Sequence, residues 1–185
     1  VSALVLIISL QGCGGGGGSS SAPVGPPADA TPPVITISGD ANVNHEQGTI
    51  YSDPGATATD NVDGGLSVEV SGSVDDAVAG TYTITYSATD QAGNSSSATR
   101  TVQVQDTIPP VITLNGEASI TIEKGTVYSD LGATATDSVD GTLDVSVSGT
   151  VQTEVGEYTL TYTATDAGGN SASVDRIVTV IEADT

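Results

Sequence analysis

Two stretches of this chain are nearly the same text: YSDPGATATDNVDG at residues 51–64 and YSDLGATATDSVDG at residues 128–141. The match extends well beyond them. Pro33-Val34-Ile35-Thr36 recurs as Pro110-Val111-Ile112-Thr113, 77 residues on, and Tyr51, Gly55, Asp60 and Asp63 recur at the same offset as Tyr128, Gly132, Asp137 and Asp140. After Val74 and Val151 one residue is lost, and Tyr82, Tyr86, Asp90 and Asn94 then match Tyr158, Tyr162, Asp166 and Asn170. A fixed internal period means that one structural unit is built twice. At about 75 residues each unit is large enough to fold alone but only modestly stable.

Periodicity says what the unit is made of. Leu66, Val68 and Val70 alternate with Ser67, Glu69 and Ser71, and Leu143, Val145 and Val147 repeat this in the second copy. Tyr82, Ile84, Tyr86 and Ala88 share one face of a strand while Thr81, Thr83, Thr85 and Ser87 share the other. Val102 and Val104 alternate in the same way near the end of the unit. Gly, Asn, Asp and Pro punctuate these runs about every ten residues, the spacing of short strands in an antiparallel β-sandwich, and no segment shows a helical period. The chain has no Phe, Trp or Met, so its interior is left to Val, Ile, Leu, Ala and six Tyr. Small β-branched side chains suit thin sheets better than helical bundles.

Charge excludes some partners. Twenty-three acidic side chains against three basic ones give a net charge of −20. Such a surface repels phosphate backbones and anionic headgroups, so nucleic acid is not expected as a partner. The N-terminus is of another kind. VSALVLIISLQG is an apolar run too short to span a bilayer. It reads as the core of a secretory signal at residues 1–12, and the single Cys13 cannot form an internal disulfide. Residues 14–32, GGGGGSSSAPVGPPADATP, read as a disordered Gly/Ser/Pro tether with an rms reach of roughly 25 Å.

Two resemblances follow from these residues. Leu10-Gln11-Gly12-Cys13 resembles the lipobox of bacterial lipoproteins. That implies cleavage before Cys13, lipidation of its thiol and a membrane anchor. Gly14 implies the outer membrane if the cell has two, with the chain facing the surface or periplasm. The pattern TPPVITISGD … GTIYSDPGATATDNVDG … GTYTITYSATDQAGN … ATRTVQV resembles the bacterial surface Ig-like module, which is akin to the hyalin-repeat domains. The resemblance implies two tandem Ig-like antiparallel β-sandwiches, at residues 33–105 and 106–182, used in stalks and adhesion arrays and carrying no chemistry. Residues 183–185 read as the start of a further module, since Asp184-Thr185 repeats Asp106-Thr107.

Catalysis finds no constellation in the sequence. His45 is the only histidine, and its counterpart Ile122 makes it a strand residue rather than a base. No Gly-x-Ser-x-Gly elbow is present. Arg100 and Arg176, two of the three cations, occupy equivalent positions and are expected each to neutralise a carboxylate of its own module. One of Tyr82 and Tyr86 is expected to form a tyrosine corner. The expected function is a non-catalytic surface lipoprotein whose repeats serve as a stalk or adhesion array, with surface protein or polysaccharide as partner. The alternative is the N-terminal stalk of a larger secreted enzyme, such as a hydrolase.

The duplicated acidic loops admit two readings. Asp60-Asn61-Val62-Asp63-Gly64 is not an EF-hand loop, and Asp-Gly is turn chemistry, with Asp60 accepting bonds from amides further on. Asp90-Gln91-Ala92-Gly93-Asn94 reads likewise, with Gly93 or Asn94 at positive φ. Turns alone need no cofactor. A weak calcium site is the other reading, built from Asp60, Asp63, Asp90, Asp137, Asp140 and Asp166, with Asp106 joining at the module junction.

Overall fold

The computed structural model describes residues 28–183. The readings of residues 1–12 as a signal, of Cys13 as a lipidation site, of the tether up to residue 27, and of Asp184-Thr185 lie outside the described residues.

Each repeat folds into seven strands with the same topology. In the first, β1 (Val34–Ile37), β3 (Ala56–Asp60) and β4 (Gly64–Leu66) form a three-stranded sheet in that order. Against it stands a four-stranded sheet ordered β2 (Asn42–Glu46), β7 (Ser95–Gln105), β6 (Gly80–Thr89), β5 (Glu69–Ser71). The second repeat gives β8 (Val111–Leu114), β10 (Ala133–Asp137) and β11 (Gly141–Leu143) on one side. On its other side are β9 (Ser119–Glu123), β14 (Ser171–Ile181), β13 (Gly156–Thr165) and β12 (Ser146–Ser148). No helix occurs among the described residues.

The long hairpins β6–β7 and β13–β14 carry the inward pattern read from the sequence. Ile84, Tyr86, Ala88, Val102 and Val104 are buried, as are Leu160, Tyr162, Ala164, Val178 and Val180. Ala58 and Ala135 face them from the opposite sheet. Tyr82 makes the corner: its hydroxyl donates to the Val78 carbonyl at 2.8 Å, and Tyr158 does the same to Glu154 at 2.9 Å. Each hairpin turns through an Asp-x-x-Gly-Asn loop, in which Gly93 (φ 94°) and Gly169 (φ 89°), rather than the asparagines, take the left-handed conformation.

Two expectations change. The sandwiches are not wholly antiparallel, because β2 runs parallel to β7 (Val43 opposite Val102) and β9 parallel to β14 (Ile120 opposite Val178). After β1 the chain crosses to the other sheet instead of turning back, and so reaches the last strand pointing the same way. Nor do Leu66, Val68 and Val70 make one strand. Leu66 ends β4 in one sheet while Val70 lies in β5 at the edge of the other, 56% exposed, and Val147 in β12 is likewise exposed. The alternation is real, but the chain changes sheets inside it, as strands at sandwich corners do.

That change of sheet ends at Gly72 and Gly149. Gly72 sits at φ 90°, where a Cβ would lie 2.3 Å from the Thr83 carbonyl oxygen; for Gly149 (φ 98°) the Thr159 oxygen would be 2.2 Å away. Gly64 also has positive φ but open space around it. Gly72→Ala is therefore expected to destabilise by about 3 kcal/mol, and Gly64→Ala by about 1 kcal/mol, in urea titrations of the whole chain. Equal losses would show that backbone conformation alone, not the carbonyl contact, demands glycine at position 72.

Candidate functional site

The duplicated stretch does two jobs, and the first is internal. Its Asp53 reaches the centre of the first sandwich and pairs with Arg100, which extends from β7 and is fully buried. The rest of the guanidinium is used as well: Nε donates to the Asp40 carbonyl at 3.0 Å and Nη2 donates to that of Ser38. Tyr86 donates its hydroxyl to the same Asp53 carboxylate at 2.6 Å, and its ring lies 5.6 Å from the guanidinium carbon. The second copy repeats this arrangement. Arg176 pairs with Asp130, donates to the carbonyls of Glu117 (3.1 Å) and Asn115 (2.7 Å), and lies over Tyr162 at 5.3 Å. The expectation that each arginine neutralises a carboxylate of its own module holds. The acceptors are the aspartates of the YSD segments.

Electrostatics follow from this burial. Burial, with Asp53 as hydrogen-bond acceptor, pushes Tyr86 up to about 12, and the same causes raise Tyr162, so both remain donors. Burial alone would raise the Asp130 carboxyl. The Tyr162 hydroxyl, the Gly132 amide and the Arg176 charge together hold it below its ordinary value of 3.8. His45 stands on β2 with its ring edge-on to Tyr51 at 5.2 Å and its Nε2 2.8 Å from the Thr49 carbonyl, a packed strand residue.

The second job is done at the end where the chain enters each sandwich. Asp60 Oδ1 accepts from the amides of Val62 (2.7 Å) and Asp63 (3.0 Å), and Asp137 Oδ1 accepts from Val139 (2.7 Å) and Asp140 (3.1 Å). These backbone bonds hold both carboxyls below their ordinary range. Asp90 and Asp166 spend both oxygens on Asn94 and Asn170. The turn chemistry read from the sequence is thus present.

It is not the whole arrangement. Asp29, Asp60 and Asp90 each bring a carboxylate oxygen into one group whose members lie within 4.8 Å of one another, and Asp106, Asp137 and Asp140 form a second such group. Asp106 therefore joins the loops of the second module, and in the first its place is taken by Asp29, which sequence reading left in the tether. Asp63 stands outside the first group, accepting from Gln91 N (2.8 Å) and Gln91 Nε2 (2.9 Å). Asp166 stands outside the second. A signal for Asp29 existed: it precedes Asp106 by the repeat offset, in ADATPPVIT against QDTIPPVIT. The amide of Asn94 donates to the Asp29 carbonyl (3.3 Å), as that of Asn170 does to Asp106 (3.1 Å).

The junction is closed by side chains from both modules. Glu46, at the end of β2, accepts from the Thr107 amide at 3.0 Å and from its hydroxyl. These bonds draw the Glu46 carboxyl down. Gly48 approaches the Val139 side chain of the second module.

Two equivalent sandwiches, each a three-stranded sheet on a four-stranded one with a tyrosine corner, define a tandem Ig-like protein. The chain belongs to the family of bacterial surface protein Ig-like domains, whose family model matches residues 35–104 and 112–180. It is 37% identical over 177 residues to hyalin of Lytechinus variegatus, covering 85% of this chain and 32% of that protein. It is 31% identical over 173 residues to the serine-rich adhesin for platelets of Staphylococcus aureus, covering 78% of this chain and 7% of that protein. A crystal structure of a Bacteroides thetaiotaomicron lipoprotein is 18% identical over 78% of this chain and 98% of that one, with a TM-score of 0.38. The chain spans about a third or less of the curated relatives it matches.

Two outcomes are expected from the arginine centres. Arg100→Leu, which leaves Asp53 without its cation, is expected to cost about 3–5 kcal/mol in urea titrations, against about 1 kcal/mol for Tyr86→Phe. Asp130 has its folded value depressed, so its contribution is present above the ordinary value of 3.8 and is lost as pH falls below it. Urea midpoints measured across that window are expected to fall less steeply in Asp130→Asn than in the parent chain.

Proposed function

We propose that this chain is the non-catalytic stalk of a lipid-anchored surface protein, its two Ig-like modules acting as a spacer or adhesion array. The observation that carries the reading is the repetition itself: one sandwich built twice, joined end to end by a short connector that Glu46 and Thr107 close. Family membership supports a place on the cell surface. The acidic composition suits a face turned to the medium and to protein or polysaccharide partners rather than to nucleic acid. The adhesin relative supports adhesion as the use of the array.

Anchoring is assigned to Cys13. Each buried methylene contributes about 0.8 kcal/mol, so one acyl chain holds weakly and two or more hold firmly. The Gly/Ser/Pro segment that follows then gives the modules reach beyond the headgroups. With Gly14 after the cysteine, the outer membrane is the destination in a cell that has two.

Fractionation tests this. The parent chain expressed in a bacterial host is expected in the membrane fraction and open to protease added to whole cells, with Cys13→Ser moving to the soluble fraction. A Ser variant that still sediments with membranes would refute the anchor, and a parent chain shielded from protease would refute the surface location.

A further inference from the structure

We propose that each module binds one calcium ion at the end where the chain enters it, through Asp29, Asp60 and Asp90 in the first and Asp106, Asp137 and Asp140 in the second. The inference stands apart from the anchoring and stalk readings above.

Turn geometry accounts for one oxygen of each central carboxylate but not for the other. Asp60 and Asp106 are only 9% exposed, and in both the second oxygen, Oδ2, is buried without a hydrogen-bond donor. The same oxygen is orphaned in Asp29 and in Asp137, the residues equivalent to Asp106 and Asp60. Four orphans thus fall at two positions of the repeat, in both copies, and all four residues belong to the carboxylate groups. A buried carboxylate oxygen without a donor is costly, and placing it beside two other carboxylates adds repulsion. A cation among the oxygens removes both costs.

The donor set selects the cation. It is all carboxylate oxygen, with no His or Cys in either group, which suits hard divalent ions and not zinc or copper. Ligands drawn from an entering segment and two separate loops form an irregular cage. Calcium accepts such a cage at six to eight oxygens, completing the set with carbonyls and water, whereas magnesium demands a near-ideal octahedron.

The two sites are not equal. In the first module Gln91 engages Asp63 through its amide and its side chain. In the second Ala167 stands in place of Gln91 and supplies only a backbone donor to Asp140 Oδ2, at 2.7 Å. Asp140 belongs to its group, as Asp63 does not to the first. The second site, at the junction, is the tighter.

Calcium chloride titrated into the chelator-treated full chain, followed by heat and by thermal melting, tests this. Two saturable events are expected in the micromolar to millimolar range, with melting several degrees higher in calcium than in chelator. Asp106→Asn is expected to weaken the tighter event at least about ten-fold, and Asp60→Asn the weaker, with circular dichroism confirming the fold. Gln91 is exposed, and Gln91→Ala is expected to tighten the weaker event several-fold by releasing Asp63, a gain that misfolding cannot produce. Three results would overturn the proposal: no saturable heat up to about 20 mM calcium, with coincident melts in calcium and chelator; an equal response to magnesium; or affinities unchanged in both Asn variants.

Discussion

A guanidinium at the centre of each sandwich is the interaction on which the rest depends. With no Phe, Trp or Met in the chain, the largest fully buried side chains are Arg100, Arg176, Tyr86 and Tyr162. Arginine is tolerated there because its donors are met by a carboxylate and by backbone carbonyls. A buried charge without such partners would be prohibitive. Satisfying it fixes three things at once: the segments 38–40 and 115–117 that follow β1 and β8, the YSD segments that precede β3 and β10, and the register of the long hairpins. The ion pair does not add much stability over a well-packed apolar centre. It does specify one arrangement of loops around a core whose other members are small and interchangeable.

How much of this could be read from the sequence differs by element. The long hairpins were legible because their alternation runs for a full strand, with one face half-buried to buried along its length. The pairing of Arg100 and Arg176 with carboxylates was legible from rarity and equivalence, but Asp53 and Asp130 were not singled out, because an aspartate two residues before a glycine looks like another turn. The break between Leu66 and Val70 was hidden, since alternation is the same whether or not the chain changes sheets within it. The parallel course of β2 was hidden for a similar reason: strand direction follows from a crossover, which leaves no periodic trace. Asp29 was missed because its surroundings are compositionally those of a linker, although its position in the repeat is that of Asp106.

The near-identity of the two YSD…VDG stretches then has a physical basis. Asp53 and Asp130 must reach the buried arginines, Ala58 and Ala135 are buried in the core, and Asp60 and Asp137 must hold their turns. Core, strand and loop constraints fall on consecutive residues, so little of the stretch is free to vary. Elsewhere the specific demands fall on single positions, such as Gly72, Tyr82 and Arg100, and the residues between them, held only to a face pattern, diverge.

The parallel pairing of β2 with β7, and of β9 with β14, has a mechanical meaning. β2 comes early in the chain of a module, and its last residue, Glu46, lies beside the connector into which β7 leads. Tension applied through the two ends draws these strands past each other along their length. The bonds between Asn42–Glu46 and Thr101–Gln105 are then loaded together rather than opened one at a time, as in a hairpin pulled from its tips. Such a clamp yields only when the whole ladder shears. In a module pulled from opposite ends, force runs along that axis, so the strand crossover that hides from sequence reading also gives each module a ladder that shears rather than unzips.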